Sequence, residues 1–236
     1  MRQIILDTET TGLEPRLGHR IIELAGVELI NRRLSGNHFH RYLNPDREID
    51  EGAMQVHGIT ADFLQDKPRF GDVVAEFLDY IRGAELVIHN APFDTGFLNA
   101  ELDKLGLPPI TQHCGGVVDT LAMAREMRPG QRNSLDALCK HYGVDNSSRT
   151  LHGALLDCEL LGAVYLAMTR GQESLMMVSS QSDSMQSETP SNKLRSRPLR
   201  ITVPEPELTE HRAMLEEINR ESQGACVWLA GDGDAG

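Results

Sequence analysis

Residues 4–12 (IILDTETTG) constrain the fold of this chain more than any other stretch. The apolar first half predicts a buried strand, and Gly12 predicts the exit from it. Asp7 and Glu9 lie two residues apart near the end of that strand, so their carboxylates share one face of the sheet, about 7 Å apart. Ligands of open α/β sheets collect at this edge, and two like charges there raise one pKa unless a cation lies between them. The stretch by itself is compatible with a divalent-metal site or with a solvated polar exit from the strand.

The composition limits the class of protein. A chain of 236 residues with 40% hydrophobic content can form one large domain with additions. A net charge of −12 excludes an electrostatic DNA clamp, because metals or a partner must offset repulsion from phosphates. The scattered cysteines, with no C-x-x-C pair, indicate a reducing compartment and no structural zinc. With no signal peptide and no apolar run of about 18 residues, we expect a cytoplasmic protein that does not cross a membrane.

Strands and helices are expected to alternate after the first strand. Residues 20–30 and 38–43 have strand patterns and predict an antiparallel hairpin, with residues 31–36 as its turn. The further expected elements are short helical turns over 50–65 with Thr60 as an N-cap, helices over 70–81, 121–127 and 135–142, a helix opened by Asp94, strands over 86–89 and 116–119, and a last helix over about 151–170.

Asp94 is expected on the inward side of its helix. Phe97, Leu98 and Leu105 follow it at i+3, i+4 and i+11, so Asp94 shares their apolar stripe. A carboxylate in that position is costly unless it is paired or bound to a metal. The alternative is an ordinary aspartate that the dipole of the helix start stabilises.

Asp157 is a second carboxylate on an apolar helical stripe, shared with Leu160, Leu161 and Val164. His152 lies five residues earlier, which is about 140° around a helix. The two side chains share a site more easily if His152 stands at the frayed start of the helix or just outside it. A single histidine at a helix start is otherwise most often a surface residue.

Together these residues have the chemistry of a two-metal hydrolase. Asp7, Glu9, Asp94 and Asp157 offer hard oxygen ligands for two Mg²⁺ or Mn²⁺ ions, and the absence of clustered cysteine and histidine argues against zinc. Two such ions activate a water and stabilise the leaving oxygen of an in-line phosphoryl displacement. His152 titrates near neutral pH and can take the proton from the attacking water.

Three motifs, in this order, resemble those of the DEDDh exonuclease superfamily: Asp7-x-Glu9-Thr-Thr-Gly, Asn-Ala-Pro-Phe-Asp94 and His152-x-x-x-x-Asp157. The resemblance covers roughly residues 1–170. It implies an α/β, ribonuclease H-like mixed sheet flanked by helices. It also implies 3′→5′ hydrolysis that releases nucleoside 5′-monophosphates.

The same resemblance implies roles for single residues. Asp7, Glu9 and Asp157 are expected to be the main metal ligands and to contact the substrate. Asp94 is expected to hold the second ion, and His152 to be the general base.

The resemblance implies two further substrate-binding residues. Residues 56–59 (VHGI) are similar to the substrate-side motif of the superfamily, which places His57 near the terminal nucleotide. Thr10 is expected to help shape that pocket.

The composition changes after the predicted exonuclease domain of residues 1–171. Residues 172–206 are rich in Gln, Ser and Pro and predict a disordered, flexible linker. Residues 207–236 regain apolar character, with Leu215 and Ile218 on a narrow stripe and Trp228 in a short apolar cluster. This segment is expected either to dock into a partner groove, with Trp228 as the anchor, or to pack back onto the main domain.

This arrangement of domain, linker and Trp-containing tail resembles the epsilon family of proofreading subunits of bacterial DNA polymerase III. The resemblance implies action on the 3′ end of a DNA primer strand and binding of the tail to the alpha subunit of the polymerase. Residues 172–177, through Gln172, Leu175 and Met176, are also similar to a sliding-clamp-binding peptide, although the terminal Phe of the stronger pattern is missing. A flexible tether would hold a weak binder at a millimolar effective concentration.

Two other functions stay open from the sequence. The first is a DEDDh exonuclease that acts on RNA, of the oligoribonuclease or tRNA-trimming type, although such enzymes are typically compact. The second is a non-catalytic adaptor between polymerase and clamp, which would have no need for an intact set of metal ligands. A nucleotide-binding α/β domain is excluded because no Gly-rich phosphate loop follows the first strand.

Overall fold

The computed structural model of this chain describes residues 1–170 and 205–222. The chain divides into two compact units, Met1–Met185 and Gln186–Gly236. Within the described ranges, no helix combines the length and the apolar character that crossing a membrane requires.

A five-stranded sheet in the order β3-β2-β1-β4-β5 forms the centre of the first unit. Its strands are β1 (Arg2–Thr10), β2 (Ile21–Ile30), β3 (Arg33–Tyr42), β4 (Glu85–Ile88) and β5 (Gly116–Asp119). The first three strands pair antiparallel, whereas β4 runs parallel to β1 and β5 runs parallel to β4. The predicted mixed sheet and its leading hairpin are therefore confirmed.

Helices cover both faces of this sheet. They are α1 (Glu51–His57), α2 (Ala61–Leu64), α3 (Phe70–Ile81), α4 (Ala91–Lys104), α5 (Thr120–Met127), α6 (Leu135–Tyr142) and α7 (Ala154–Met168), with 3₁₀ turns at Pro15–Leu17 and Ile110–Gln112. Thr60 caps α2 as predicted, because its hydroxyl accepts a hydrogen bond from the amide of Phe63 at 3.3 Å.

Two hydrophobic cores lie on the two faces of β1. Ile4 and Leu6 pack in one core with Phe77 of α3, and Ile5 packs in the other with Leu161 of α7. A strand that is buried on both faces needs apolar residues at successive positions, which explains the continuous apolar run at the start of the chain.

The hairpin turn is shorter than the predicted residues 31–36. It consists of Asn31 and Arg32, both with positive φ (48° and 63°), and β3 begins directly at Arg33. Two residues with positive φ match the right-handed twist of the flanking strands, although arginine is unusual there. The guanidinium of Arg32 donates to the hydroxyl of Thr169 at 2.6 Å, and this contact holds the turn against the end of α7.

The second unit contributes one described helix, α8 (Glu205–Glu221). Leu215 is half-buried within it and Ile218 is exposed. Most of the predicted linker lies outside the described residues, as do four residues predicted to bind partners: Gln172, Leu175, Met176 and Trp228.

Candidate active site

A cleft of about 550 Å³ opens at the C-terminal end of β1. Its walls come from the end of β1, from α1, from the first turn of α4 and from the start of α7. The cleft brings together all seven residues that the sequence predicted for the nuclease site: Asp7, Glu9, Thr10, His57, Asp94, His152 and Asp157. These residues come from four separate segments of the chain.

The carboxyl groups of β1 lie in an environment that disfavours their charge. Burial raises the pKa of Glu9 to about 8, with a further contribution from the charge of Asp157. Burial likewise raises the pKa of Asp7 well above its usual range, and the charge of Asp94 adds to this effect. The predicted repulsion between neighbouring carboxylates is present, but burial is the larger cause of both shifts.

Asp94 lies in the first turn of α4 and faces inward, as predicted. Only 3% of its surface is exposed, and one carboxyl oxygen accepts a hydrogen bond from the hydroxyl of Thr8 at 2.7 Å. Burial raises the pKa of Asp94 to about 7 despite that hydrogen bond. Asn90 adopts a left-handed conformation with φ of 67°, which turns the chain sharply from β4 into α4.

His152 lies just before the start of α7, as required for it to share a site with Asp157. Helix α7 begins only at Ala154, and the amide of His152 donates to the carbonyl of Val56 at the end of α1, at 3.1 Å. The imidazole Nδ1 lies 3.6 Å from the carboxylate of Asp157. Ligand atoms of Glu9, His152 and Asp157 all lie within 4.8 Å of one another.

His57 presents a hydrogen-bond donor that the fold leaves unused. Its Nδ1 accepts a hydrogen bond from the amide of Ile59 at 3.0 Å, so the neutral ring carries its proton on Nε2. That Nε2 is buried and has no hydrogen-bond partner among the described residues. The nearby backbone of Thr10 favours the charged ring, but burial has the larger effect on the pKa of His57. Burial lowers the pKa of His57, which keeps the ring neutral near pH 7.

Two residues that the sequence analysis did not single out support α7. Glu23 of β2 is 2% exposed, and its carboxylate accepts from the amide of Ala154 at 3.2 Å and pairs with Nε2 of His40 at 2.7 Å. A carboxylate at a helix start is favoured by the helix dipole. The signal in the sequence was a charged residue among the apolar residues at the start of the strand.

Arg149 is the second such residue, and its side chain is only 7% exposed. Its Nε and Nη2 donate to the two carboxyl oxygens of Asp157, at 2.5 and 2.6 Å. Nη2 also lies 3.1 Å from Nδ1 of His152, and Nη1 donates to Asp136 at 2.9 Å. Arg149 belongs to a polar segment between helices, where no periodic pattern points to an inward position.

The donor set of the cleft fits a divalent cation with a preference for oxygen ligands. Asp7, Glu9, Asp94 and Asp157 bring four carboxyl groups into one cleft, and the pKa values of the first three are raised by burial and by neighbouring carboxylates. A bound cation would remove the cost of charging them. Oxygen ligands with one imidazole suit Mg²⁺ or Mn²⁺.

Comparison with known proteins agrees with this geometry. The family model described as an exonuclease matches residues 4–165. The chain is 52% identical over 239 aligned residues to the DNA polymerase III subunit epsilon of Salmonella typhimurium, and the alignment covers 97% of this chain and 98% of that protein. The chain belongs to the exonuclease family of DNA polymerase III epsilon subunits. A second member, from Escherichia coli strain K12, is 49% identical with the same coverage.

Solved structures extend the comparison to the fold of the family. Exonuclease X in complex with 5′ overhanging duplex DNA superposes with a TM-score of 0.57 and 30% identity, over 72% of this chain and 93% of that chain. The exonuclease I of E. coli, in complex with a dT13 oligonucleotide, superposes with a TM-score of 0.64 and 21% identity, over 75% of this chain and 43% of that chain. The ribonuclease H-like exonuclease fold predicted from the motifs is confirmed.

Proposed function

We propose that this chain is the 3′→5′ proofreading exonuclease of a bacterial DNA polymerase III and removes misincorporated nucleotides as 5′-monophosphates. The observation that carries the proposal is the convergence of four carboxyl groups and His152 in one cleft, in a chain of the epsilon family. An adaptor without catalytic activity would gain nothing from burying these carboxyl groups, because each costs free energy in the folded state.

Two Mg²⁺ or Mn²⁺ ions are the cofactors that this site would hold. Asp7, Glu9 and Asp157 would be the main ligands and Asp94 would hold the second ion. When bound, the ions supply Lewis acidity and offset the negative charge of the cleft and of the phosphodiester.

His152 would act as the general base on the attacking water. Burial, followed by the charge of Arg149, lowers the pKa of His152, so the imidazole is neutral near pH 7, which is the protonation state that a general base requires. Its ring is half-exposed at the cleft, where a water molecule can reach it.

Lining residues other than the carboxylates would bind the terminal nucleotide. Nε2 of His57 is an oriented donor for a sugar or phosphate oxygen, and Thr10 would shape the pocket around it. Leu13 and Val56 line the same cleft and are 78% and 45% exposed. Exposed aliphatic side chains of this kind can pack against the face of an unpaired base.

The tail would connect the nuclease to the replication machinery. We propose that residues 207–236 bind the alpha subunit of the polymerase through Leu215, Ile218 and Trp228, and that residues 172–177 contact the sliding clamp. The cytoplasm is then the expected location, because the bacterial chromosome is replicated there.

The first test is the degradation of 5′-labelled single-stranded DNA and RNA by the purified chain, with Mg²⁺ and with EDTA. We expect metal-dependent shortening from the 3′ end, faster on DNA than on RNA. A preference for short RNA would instead support an RNA-trimming enzyme. No activity on either substrate would support the adaptor.

Variants connect that activity to the cleft. Asp7→Ala and Asp157→Ala should each abolish hydrolysis while circular dichroism shows a retained fold, because both remove ligands of the proposed ions. Asp79→Ala is the control, since Asp79 is exposed and, among the described residues, forms its ion pair with Arg82 at 3.1 Å. Full activity in either cleft variant would overturn the assignment of the metal site.

A further inference from the structure

Arg149 forms hydrogen bonds with the reactive atoms of two proposed active-site residues, Asp157 and His152. Its guanidinium donates to both carboxyl oxygens of Asp157 and, through Nη2, to Nδ1 of His152. An arginine side chain has only donors and stays protonated in proteins. Nδ1 of His152 is therefore the acceptor in this contact, and the proton of the neutral ring lies on Nε2.

This arrangement leaves His152 unable to act as a base. The lone pair of Nδ1 is directed at Arg149, and Nε2 already carries a hydrogen. A water molecule has no ring nitrogen to which it can transfer a proton while this contact persists. Release of Arg149 frees Nδ1.

The same guanidinium lies against the carboxylate of Asp157, where a metal ion would bind. Asp157 is a proposed ligand, and the cation that neutralises its buried carboxylate is already supplied by the chain. Both oxygens of Asp157 accept hydrogen bonds from the guanidinium, so an ion that binds either oxygen must displace a donor and meets a positive charge beside it. Arg149 and a divalent ion are therefore competitors for Asp157.

The surroundings give Arg149 a place to move. It lies in the segment that joins α6 to α7, and its Nη1 is held by Asp136, whose side chain is 57% exposed. A second cleft, of about 540 Å³, is lined by Arg149, Asp136 and Asp157. This cleft borders both Arg149 and Asp136, so there is space next to the guanidinium.

We propose that Arg149 is a displaceable internal cation, which holds Asp157 and His152 in an inactive arrangement and leaves both when a divalent ion binds. This inference rests on the metal-binding part of the proposed function. A role in which Arg149 merely positions Asp157 as a ligand leads to the opposite expectation, because its loss would then weaken metal binding.

The test is the affinity of the full-length chain for Mn²⁺, measured by electron paramagnetic resonance of the free ion without substrate. Arg149→Met removes the competing charge and should tighten Mn²⁺ binding by about tenfold. Arg149→Lys keeps a charge but cannot occupy both oxygens of Asp157, so its affinity should lie between those of wild type and Arg149→Met. Arg82→Met is the control for a lost surface charge, since its side chain is 75% exposed, and it should bind as wild type does.

Thermal unfolding provides a readout that distinguishes this role from a structural one. In EDTA, Arg149→Met should unfold roughly 5 to 10 °C below wild type, because Asp157 loses its buried partner. Saturating Mn²⁺ should remove most of this difference. If Arg149→Met is destabilised equally with and without Mn²⁺, and binds Mn²⁺ no more tightly than wild type, the inference about Arg149 is wrong. The proposed metal site would still stand. Absence of Mn²⁺ binding in wild type would overturn the proposed metal site as well.

Discussion

At the scale of single residues, the carboxyl group of Glu9 is held where its charged form is least stable. Its pKa is raised to about 8, first by burial and then by the charge of Asp157, whereas an unfolded chain has a pKa near 4.5. Between these two values the folded chain binds a proton that the unfolded chain does not. The free energy of unfolding of the metal-free chain therefore falls as the pH rises through this window.

This shift predicts an unusual pH dependence of stability. In EDTA, wild type should lose on the order of 2 kcal/mol between pH 6.5 and pH 8 through Glu9. Asp94, with a pKa of about 7, contributes in the same direction at the lower end of the range. Burial lowers the pKa values of His57 and His152, so both rings stay mostly neutral between pH 6.5 and pH 8.

Thermal unfolding of Glu9→Gln at pH 6.5 and pH 8 measures this contribution. The amide cannot ionise, so the variant should lose less stability than wild type and should be the more stable protein at pH 8 in EDTA. Glu14→Gln, at an exposed position in the loop after β1, should behave as wild type. Parallel slopes for Glu9→Gln and wild type would show that Glu9 ionises normally.

At the scale of elements, one buried carboxylate connects the start of α7 to β2. Glu23 accepts from the amide of Ala154 at the start of α7 and from His40 of β3. Because α7 carries Asp157 and follows directly after His152, this contact also sets the geometry of the cleft. Strand β2 contributes no proposed metal ligand, but through Glu23 it holds the start of α7 in place beside the active site.

Glu23→Leu should lower the free energy of unfolding by about 2 to 4 kcal/mol, because the buried amide of Ala154 and the partly buried imidazole of His40 lose their acceptor. It should also reduce the rate of hydrolysis, since the start of α7 is no longer held. Urea unfolding and the oligonucleotide assay measure the two effects. Glu76→Leu removes an exposed carboxylate that pairs with Arg41, and a surface pair of this kind contributes at most about 1 kcal/mol. Equal losses in the two variants would contradict the role of Glu23.

At the scale of the whole molecule, the chain places its proposed chemistry and its proposed attachment in different units. The cleft lies entirely within the first unit, and α8 lies in the second. Leu215 and Ile218 are the apolar residues predicted to contact the polymerase from α8. Hydrolysis and attachment should therefore be separable by mutation.

Removal of residues 208–236 should leave the hydrolysis of free oligonucleotides unchanged and end co-purification with the alpha subunit. The double variant Leu215→Asp with Ile218→Asp tests the same point in the full-length chain, because two charges on the apolar stripe oppose docking into a groove. His211→Asp, at an exposed position of the same helix, should still co-purify. Unchanged co-purification of the truncated chain would refute the role of the tail.

Local patterns in the sequence predicted the strands, the helices and the carboxylates of the cleft, whereas Thr10 and His57 were expected only from the family resemblance. The spacing of Asp7 and Glu9 follows from the two-residue repeat of a strand, and the inward positions of Asp94 and Asp157 follow from the helical repeat. Both repeats are properties of a single element, so they can be recognised without knowing what packs against it. Motif order then related these residues to one family.

The tertiary structure alone decided what surrounds those residues. Glu23 meets Ala154 across 131 positions of the sequence, and Arg149 reaches Asp157 from outside any periodic element. The pKa values of Glu9 and Asp94 depend mainly on burial, which arises only when distant segments enclose a side chain. A periodic pattern states which side of an element a residue occupies, whereas the partners and the solvent access of that side depend on how the elements pack together.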